Sequence, residues 1–175
     1  MRRALAVLGL LLVCLLCPIG CTSGGNCSSG ERCDCSGSEQ CFLECAGDQC
    51  DQSCHNTGYS CGTVCGDNCS SQCHDVGNTC SQSCGSGCGL ECSHVPTCGV
   101  LCGDNCHLDC HDAELCSAEV GSNSDVKCQS VTDCQVRCTG ACDVRCANTQ
   151  NCEVRCADGA NATQCEPGRF ACGGC

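Results

Sequence analysis

Cysteine is the reactive residue type that dominates this chain, since 33 of its 175 residues are cysteines. Thiols at such density serve structural disulfides, a metal-binding thiolate cluster or redox catalysis. A metallothionein-like cluster needs close Cys-x-Cys spacing, because several sulfurs must lie ~2.3 Å from one metal, and only Cys33-Asp34-Cys35 has it. The hint of a redox site is Cys172-Gly173-Gly174-Cys175, which lacks a strand–helix context. The pattern therefore favours structural disulfides.

The histidines follow the cysteines in a regular way. His55, His74 and His111 each come directly after the last cysteine of a group of four, and His94 lies one place later. If the groups stack, these imidazoles lie along one edge, and neighbouring rings can share a Zn²⁺ or Cu²⁺ ion. The alternative is that they are solvated loop residues at a recurrent position. His55, His74 and His111 are the candidate metal ligands.

The remaining polar residues predict no enzyme and no further cofactor. No Ser-His-Asp order, paired carboxylates or phosphate-binding glycine loop stands out, and a single Ser or His in so repetitive a chain is a weak catalytic candidate. Removal of Arg2 and Arg3 with a signal peptide leaves 20 acidic against six basic residues, a net charge of −14. Binding to nucleic acid depends on Lys and Arg clusters, so the sequence argues against a nucleic-acid partner.

The elements that position these side chains follow from an internal repeat. Four cysteines, each separated from the next by three residues, form a unit that recurs along the chain. The unit from Cys41 to Cys54 has one inserted residue, and the unit from Cys116 to Cys128 lacks its two inner cysteines. Later units begin every 18 or 19 residues, at Cys61, Cys80, Cys98, Cys116, Cys134 and Cys152.

Each unit predicts two short β-strands joined by turns. In residues 134–138, Cys-Gln-Val-Arg-Cys, an extended chain places both cysteines and the central Val136 on one face. Gly66-Asp67-Asn68 is typical of the intervening turn. Two strands and two turns predict one coil of an all-β, disulfide-stapled parallel β-solenoid with coils ~4.8 Å apart. A helical hairpin array and an irregular disulfide network are the alternatives, and Gln52 and Gln82 in inward positions count against the solenoid.

The N-terminus predicts export. Arg2 and Arg3 precede an apolar run over residues 4–16, which is typical of a signal peptide and shorter than the ~20 residues of a membrane span. Pro18-Ile19-Gly20-Cys21 resembles the lipobox of bacterial lipoproteins, except that Pro18 stands where that family usually has Leu. Cys21 is therefore the candidate lipidation site, with a disulfide as its alternative fate. Lipidation would leave 30 cysteines, an even number, for pairing.

Taken together, the lipobox-like start and the repeat make the chain similar to the cysteine-rich repeat lipoproteins of high-GC bacteria, a resemblance that implies no defined activity. We expect a signal peptide over residues 1–20 and a tether with an N-terminal cap over 21–40. The repeat solenoid is expected over 41–156, and a C-terminal cap over 157–175.

The incomplete unit suggests a rule for disulfide pairing. If a coil folds back on itself, its outer cysteines face each other and so do its inner two, near the ~5.5 Å Cα separation that a disulfide needs. Val120 and Ser124 occupy the inner positions of the incomplete unit, so both inner partners are missing together. The rule predicts Cys116–Cys128, Cys61–Cys73, Cys65–Cys69, Cys134–Cys146 and Cys138–Cys142. It leaves open some links between neighbouring coils at the two ends.

Two classes of function remain. The favoured one is an exported, non-enzymatic structural or interaction protein with an unknown macromolecular partner. A lipid on Cys21 would hold it at the outer membrane or cell surface, and without that lipid it would be secreted. The alternative is an extracellular metal-binding protein that uses the histidine edge or reduced thiols.

Overall fold

A computed structural model describes residues 24–175, so the predicted signal peptide and Cys21 lie outside the described residues. This part of the chain contains no helix and forms 15 strands. The strands are β1 (Gly25–Cys27), β2 (Arg32–Ser36), β3 (Gln40–Cys45), β4 (Asp51–Thr57), β5 (Ser60–Val64), β6 (Ser70–Val76), β7 (Thr79–Cys84), β8 (Gly89–Cys102), β9 (His107–Val120), β10 (Ser124–Gln129), β11 (Asp133–Cys138), β12 (Cys142–Ala147), β13 (Asn151–Arg155), β14 (Thr163–Glu166) and β15 (Arg169–Cys172).

The strands stack in parallel into two ladders that we call face A and face B. Face A contains β1, β3, β5, β7, the C-terminal parts of β8 and β9, β11 and β13. Face B contains β2, β4, β6, the N-terminal parts of β8 and β9, β10 and β12. The chain alternates between the faces and rises by one rung per circuit, through about seven coils. The predicted parallel β-solenoid is confirmed.

Equivalent cysteines lie directly above one another, as the spacing of the repeat predicts. Cys98 pairs in register with Cys80 below it and Cys116 above it, and the column continues upward through Cys134. The two ladders begin with β1, which lies beneath β3 on face A, and β2, which lies beneath β4 on face B. Residues 25–36, which were expected to belong to a tether and cap, therefore form the first coil of the solenoid.

At the C-terminal end, a hairpin covers the last strand of face B. β15 pairs antiparallel with β12, and β14 pairs antiparallel with β15. Arg169 holds the hairpin against the ladder, because its Nη2 lies 2.7 Å and its Nε 2.8 Å from Asp143 Oδ2. The hairpin thus covers the exposed edge of β12 with an antiparallel strand and an ion pair.

The core is narrow, with one inward residue between the two cysteines of each strand. From β8 to β13 these inward residues are aliphatic and buried, and they include the predicted Val136: Leu90, Val100, Leu108, Ala118, Val126, Val136, Val144 and Val154. In the N-terminal coils several of them are polar. Gln52 and Gln82 are both buried, and each amide bridges the two faces: Gln52 Nε2 donates to Leu43 O and Val64 O, and Gln82 Nε2 donates to Ser71 O and Glu91 O. These inward glutamines are therefore compatible with the solenoid.

The corner that leads from face A to face B, the first corner, repeats a Gly-Asp-Asn arrangement in which each residue has its own role. Asn68 has a left-handed backbone, with a φ of 55°. Asp67 accepts a hydrogen bond at its Oδ1 from Ser86 N of the next coil, at 2.7 Å. Gly85 must lack a side chain, because a Cβ there would overlap Asp67 Oδ1. Corner residues thus link the coils through hydrogen bonds in addition to the sheet ladders.

Candidate functional site

All 30 cysteines of the described chain are paired, in 15 disulfides. Thirteen of them form one column at the first corner and a second column at the opposite corner, where each coil passes to the next. Cys156–Cys172 and Cys165–Cys175 link the C-terminal hairpin. At the first corner the predicted inner pairs Cys65–Cys69 and Cys138–Cys142 are present. Extensive disulfide bonding of this kind is typical of extracellular proteins.

The predicted outer pairs are wrong. Cys61–Cys73 is replaced by Cys54–Cys61 and Cys73–Cys80, because each outer cysteine bonds to a neighbouring coil. Likewise Cys116–Cys128 and Cys134–Cys146 are replaced by Cys110–Cys116, Cys128–Cys134 and Cys146–Cys152.

The rise of the coil explains this correction. Because the chain climbs as it turns, Cys73 follows Cys61 of its own coil and precedes Cys80 of the coil above, which lies in register with Cys61. Its sulfur is within 4.8 Å of both. The bond to Cys80 closes a loop with a sequence separation of 7, whereas the bond to Cys61 would span 12. Closing the shorter loop has the lower entropic cost.

The incomplete coil keeps its place in the first-corner column without a disulfide. Val120 lies in register between Cys102 and Cys138, and it is 1% exposed. Ser124 is buried opposite it, and its Oγ accepts a hydrogen bond from Cys106 N at 3.1 Å. One aliphatic side chain and one buried hydrogen bond therefore occupy the space of the missing bridge.

The second corner places four histidines and two aspartates in a line of half-buried and exposed side chains, which we name the histidine ridge: His55, His74, Asp75, His94, His111 and Asp112. His55 and His74 are neighbours in register, and Ser93 separates His74 from His111 in the same column. His111 therefore lies two coils above His74, about 10 Å away at the usual strand spacing. The three predicted metal ligands do not meet at one point.

Two different arrangements result along the histidine ridge. The rings of His55 and His74 are stacked, with centroids 5.1 Å apart and planes 3° from parallel. The rings of His94 and His111 are nearly perpendicular, with centroids 5.9 Å apart. Asp112 belongs to this upper pair, because its Oδ2 lies 3.0 Å from His111 Nδ1 and 3.8 Å from His94 Nε2. The sequence had not singled out Asp112 or His94 as ligands.

Charges on the histidine ridge are mutually stabilising. The hydrogen bond between His74 and Asp75, 2.9 Å long, lowers the pKa of Asp75, and the charges of His74, His94 and His55 lower it further against a weaker effect of burial. Partial burial opposes the charge of His111, yet its hydrogen bond to Asp112 and the nearby carboxylate of Glu91 outweigh that effect and raise the pKa of His111 above its ordinary 6.5. These contacts thus favour a positively charged imidazole at His111 and an ionised carboxylate at Asp75.

Face A forms an open trough of about 630 Å³ over the middle and C-terminal coils. Its lining includes the small outward residues Ser81, Gly99 and Ser117 of three successive coils. Leu101 projects into solvent within it and is 58% exposed. The trough is shallow and open to solvent, in contrast to the enclosed clefts that bury most of a small ligand.

Within residues 24–175, no helix is long and apolar enough to span a membrane. Comparisons of the chain with protein-family models, with curated proteins and with solved structures give no match.

Proposed function

We propose that the chain is a non-enzymatic structural or interaction protein of the cell surface, held there by a lipid on Cys21. The observation that carries this proposal is the covalent frame: two disulfide columns run along both edges of a solenoid with a narrow core. Each disulfide typically contributes ~2–4 kcal/mol, mainly by restricting the unfolded chain. Such a frame makes a stiff rod in an oxidising compartment.

The position of the first coil supports attachment at the N-terminus. β1 begins at Gly25, four residues after Cys21. Four residues span at most about 14 Å, so a lipid on Cys21 would place the rod directly at the membrane surface. At ~4.8 Å per coil, about seven coils reach ~34 Å outward from that point. The proposed role is to carry a rigid acidic surface next to the envelope and to contact other macromolecules there.

Intact-mass measurement of the non-reduced protein from a bacterial host tests the anchor. We expect a mature N-terminus at Cys21, the mass of an attached lipid and 30 hydrogens fewer than the fully reduced chain. Cys21→Ala should move the protein from the membrane fraction to the soluble one. An N-terminus at any other residue, or unchanged membrane association of Cys21→Ala, would refute lipidation at this cysteine.

Reduction and chelation test the structural role of the cysteines separately. Thiol reductant should abolish the far-UV circular dichroism of the β-solenoid, because so narrow a core cannot hold the chain without its crosslinks. EDTA should leave the spectrum unchanged. Loss of the spectrum in EDTA alone would show that a metal, and not the disulfides, holds the fold.

A further inference from the structure

We propose that His94, His111 and Asp112 bind one divalent transition-metal ion of borderline softness, Zn²⁺ or Cu²⁺, on the upper half of the histidine ridge. Imidazole and carboxylate groups together are the donors that these ions accept. The site is additional to the structural role, since the disulfide frame does not depend on it.

Asp112 Oδ2 is already close to metal-binding distance from one ring nitrogen of each histidine. Zn²⁺ binds nitrogen and oxygen at about 2.0–2.2 Å, which sets neighbouring ligands of a tetrahedral site about 3.3 Å apart. Asp112 Oδ2 lies 3.0 Å from His111 Nδ1 and 3.8 Å from His94 Nε2. Shifts of about 0.5 Å in exposed side chains bring both separations to the required value.

Ring orientation distinguishes this pair from the lower one. The planes of His94 and His111 meet at 82°, so their nitrogen lone pairs can converge on one ion. The planes of His55 and His74 differ by 3°, so their lone pairs lie in stacked parallel planes and cannot converge on one ion without rotation of a ring. The upper half of the ridge is therefore the better site, although the repeat gives both halves two histidines.

The backbone holds these ligands in place. His94 and Asp112 have left-handed backbones with φ values of 52° and 54°, and they occupy equivalent positions of successive coils, since Ser93 pairs with His111 and Val95 with Ala113. The disulfide Cys92–Cys98 closes the loop around His94, and Cys110–Cys116 closes the loop around His111 and Asp112. Short covalent loops reduce the entropy that ligand ordering costs.

Glu91 supplies the outer contact that metal-binding histidines usually have. Its Oε1 lies 3.6 Å from His111 Nε2, the ring nitrogen that faces away from Asp112. A histidine that binds metal through one nitrogen commonly donates its other N–H to a carboxylate, which fixes the tautomer and the ring orientation. The surroundings also favour a cation, because residues 22–120 contain 14 acidic residues and Arg32 as their one Lys or Arg.

Isothermal titration of the oxidised chain with ZnCl₂, and separately with CuCl₂, tests the site. The wild type should bind one ion stoichiometrically. His94→Gln, His111→Gln and Asp112→Asn should each weaken binding at least tenfold. Glu91→Ala, which keeps all three ligands, should weaken it about tenfold. His107→Gln is the matched control, because His107 points outward on face B beside Lys127, away from the ridge.

A second readout identifies the ligands. The electron paramagnetic resonance spectrum of the Cu²⁺ form should show coupling to two imidazole nitrogens in the wild type and to one in His94→Gln. Intact mass must show all 15 disulfides in every variant, so that free thiols cannot supply the binding. The proposal is overturned if the wild type binds no stoichiometric ion, if His94→Gln binds as tightly as His107→Gln, or if His55→Gln abolishes binding instead.

Discussion

Replacement of Gly85 by alanine should loosen the contact between two neighbouring coils at the first corner. Gly85 N donates to Gly66 O at 2.9 Å, and Ser86 N donates to Asp67 Oδ1 at 2.7 Å. A Cβ on residue 85 would overlap Asp67 Oδ1 and lie 3.0 Å from the carbonyl oxygen of Gly66. The carboxylate of Asp67 must then turn away from the Ser86 amide.

The size of the effect follows from the bond that is lost. A hydrogen bond to a charged group contributes about 1.5–3 kcal/mol. Exchange of glycine for alanine returns about 0.4–1 kcal/mol by restricting the unfolded chain. The free energy of unfolding of Gly85→Ala should therefore fall by ~1–2 kcal/mol. Gly89→Ala is the control, because Gly89 is exposed and a Cβ there meets no atom within 4 Å. It should leave stability unchanged or raise it slightly.

Guanidinium denaturation of the oxidised chain, followed by circular dichroism, measures both variants. A double-mutant cycle with Asp67→Ala locates the cause, because removal of the carboxylate should make Gly85→Ala cost ~1–2 kcal/mol less than in the wild type. Equal losses for Gly85→Ala and Gly89→Ala would refute the packing argument. A Gly85→Ala effect that persists fully without the Asp67 carboxylate would place the clash elsewhere.

Two further predictions concern the second corner. In Cys128→Ser, the freed Cys134 thiol should attack the Cys146–Cys152 disulfide, form Cys134–Cys146 and release the Cys152 thiol. This exchange is expected because the sulfurs of Cys128, Cys134 and Cys146 lie within 4.8 Å of one another. Non-reducing peptide mapping locates the free thiol, and a free thiol at Cys134 would contradict the prediction. His111 has a raised pKa, so its share of the stability is present below its unfolded pKa near 6.5 and is lost as pH rises through the raised folded value. The free energy of unfolding of His111→Gln should accordingly vary less between pH 6 and pH 8 than that of the wild type, and identical profiles would exclude this contribution.

The fold was predictable because the cysteine spacing indicates both the coil length and the strand positions. The distance from Cys80 to Cys98 sets the coil length, and the three-residue gaps inside a unit set the strands, so that the structure places Cys80 and Cys98 in register. Gly66-Asp67-Asn68 was predictable as a turn from composition. The separate roles of the turn residues were not predictable, because those of Asp67 and of the glycine in the following coil depend on contacts between residues 18 or 19 positions apart.

The candidate metal centre was only half predictable. The sequence indicates an edge of histidines, but His94 is not among the candidate ligands because it lies one place beyond the repeat position of the others. In the structure this offset places His94 at the left-handed corner position, directly below Asp112. Which rings converge depends on side-chain directions at the corner, and a repeat pattern contains no information about them.

The mixed core shows why the sequence pattern tolerates polar residues at inward positions. Each coil contributes two inward side chains between two disulfides, so a single side chain can reach from one face to the backbone of the other. Gln82 does so, donating to Ser71 O of face B and to Glu91 O on the coil above. Thr63 and Ser71 likewise join across the core, with their hydroxyl oxygens 2.7 Å apart. In a wide core these donors would be buried without partners at a cost of about 1–3 kcal/mol each. Even here the Oε1 atoms of Gln52 and Gln82 are buried without a hydrogen-bond partner. Here the disulfide columns fix the width of the core, and a narrow core of fixed width keeps backbone partners within reach of a polar side chain.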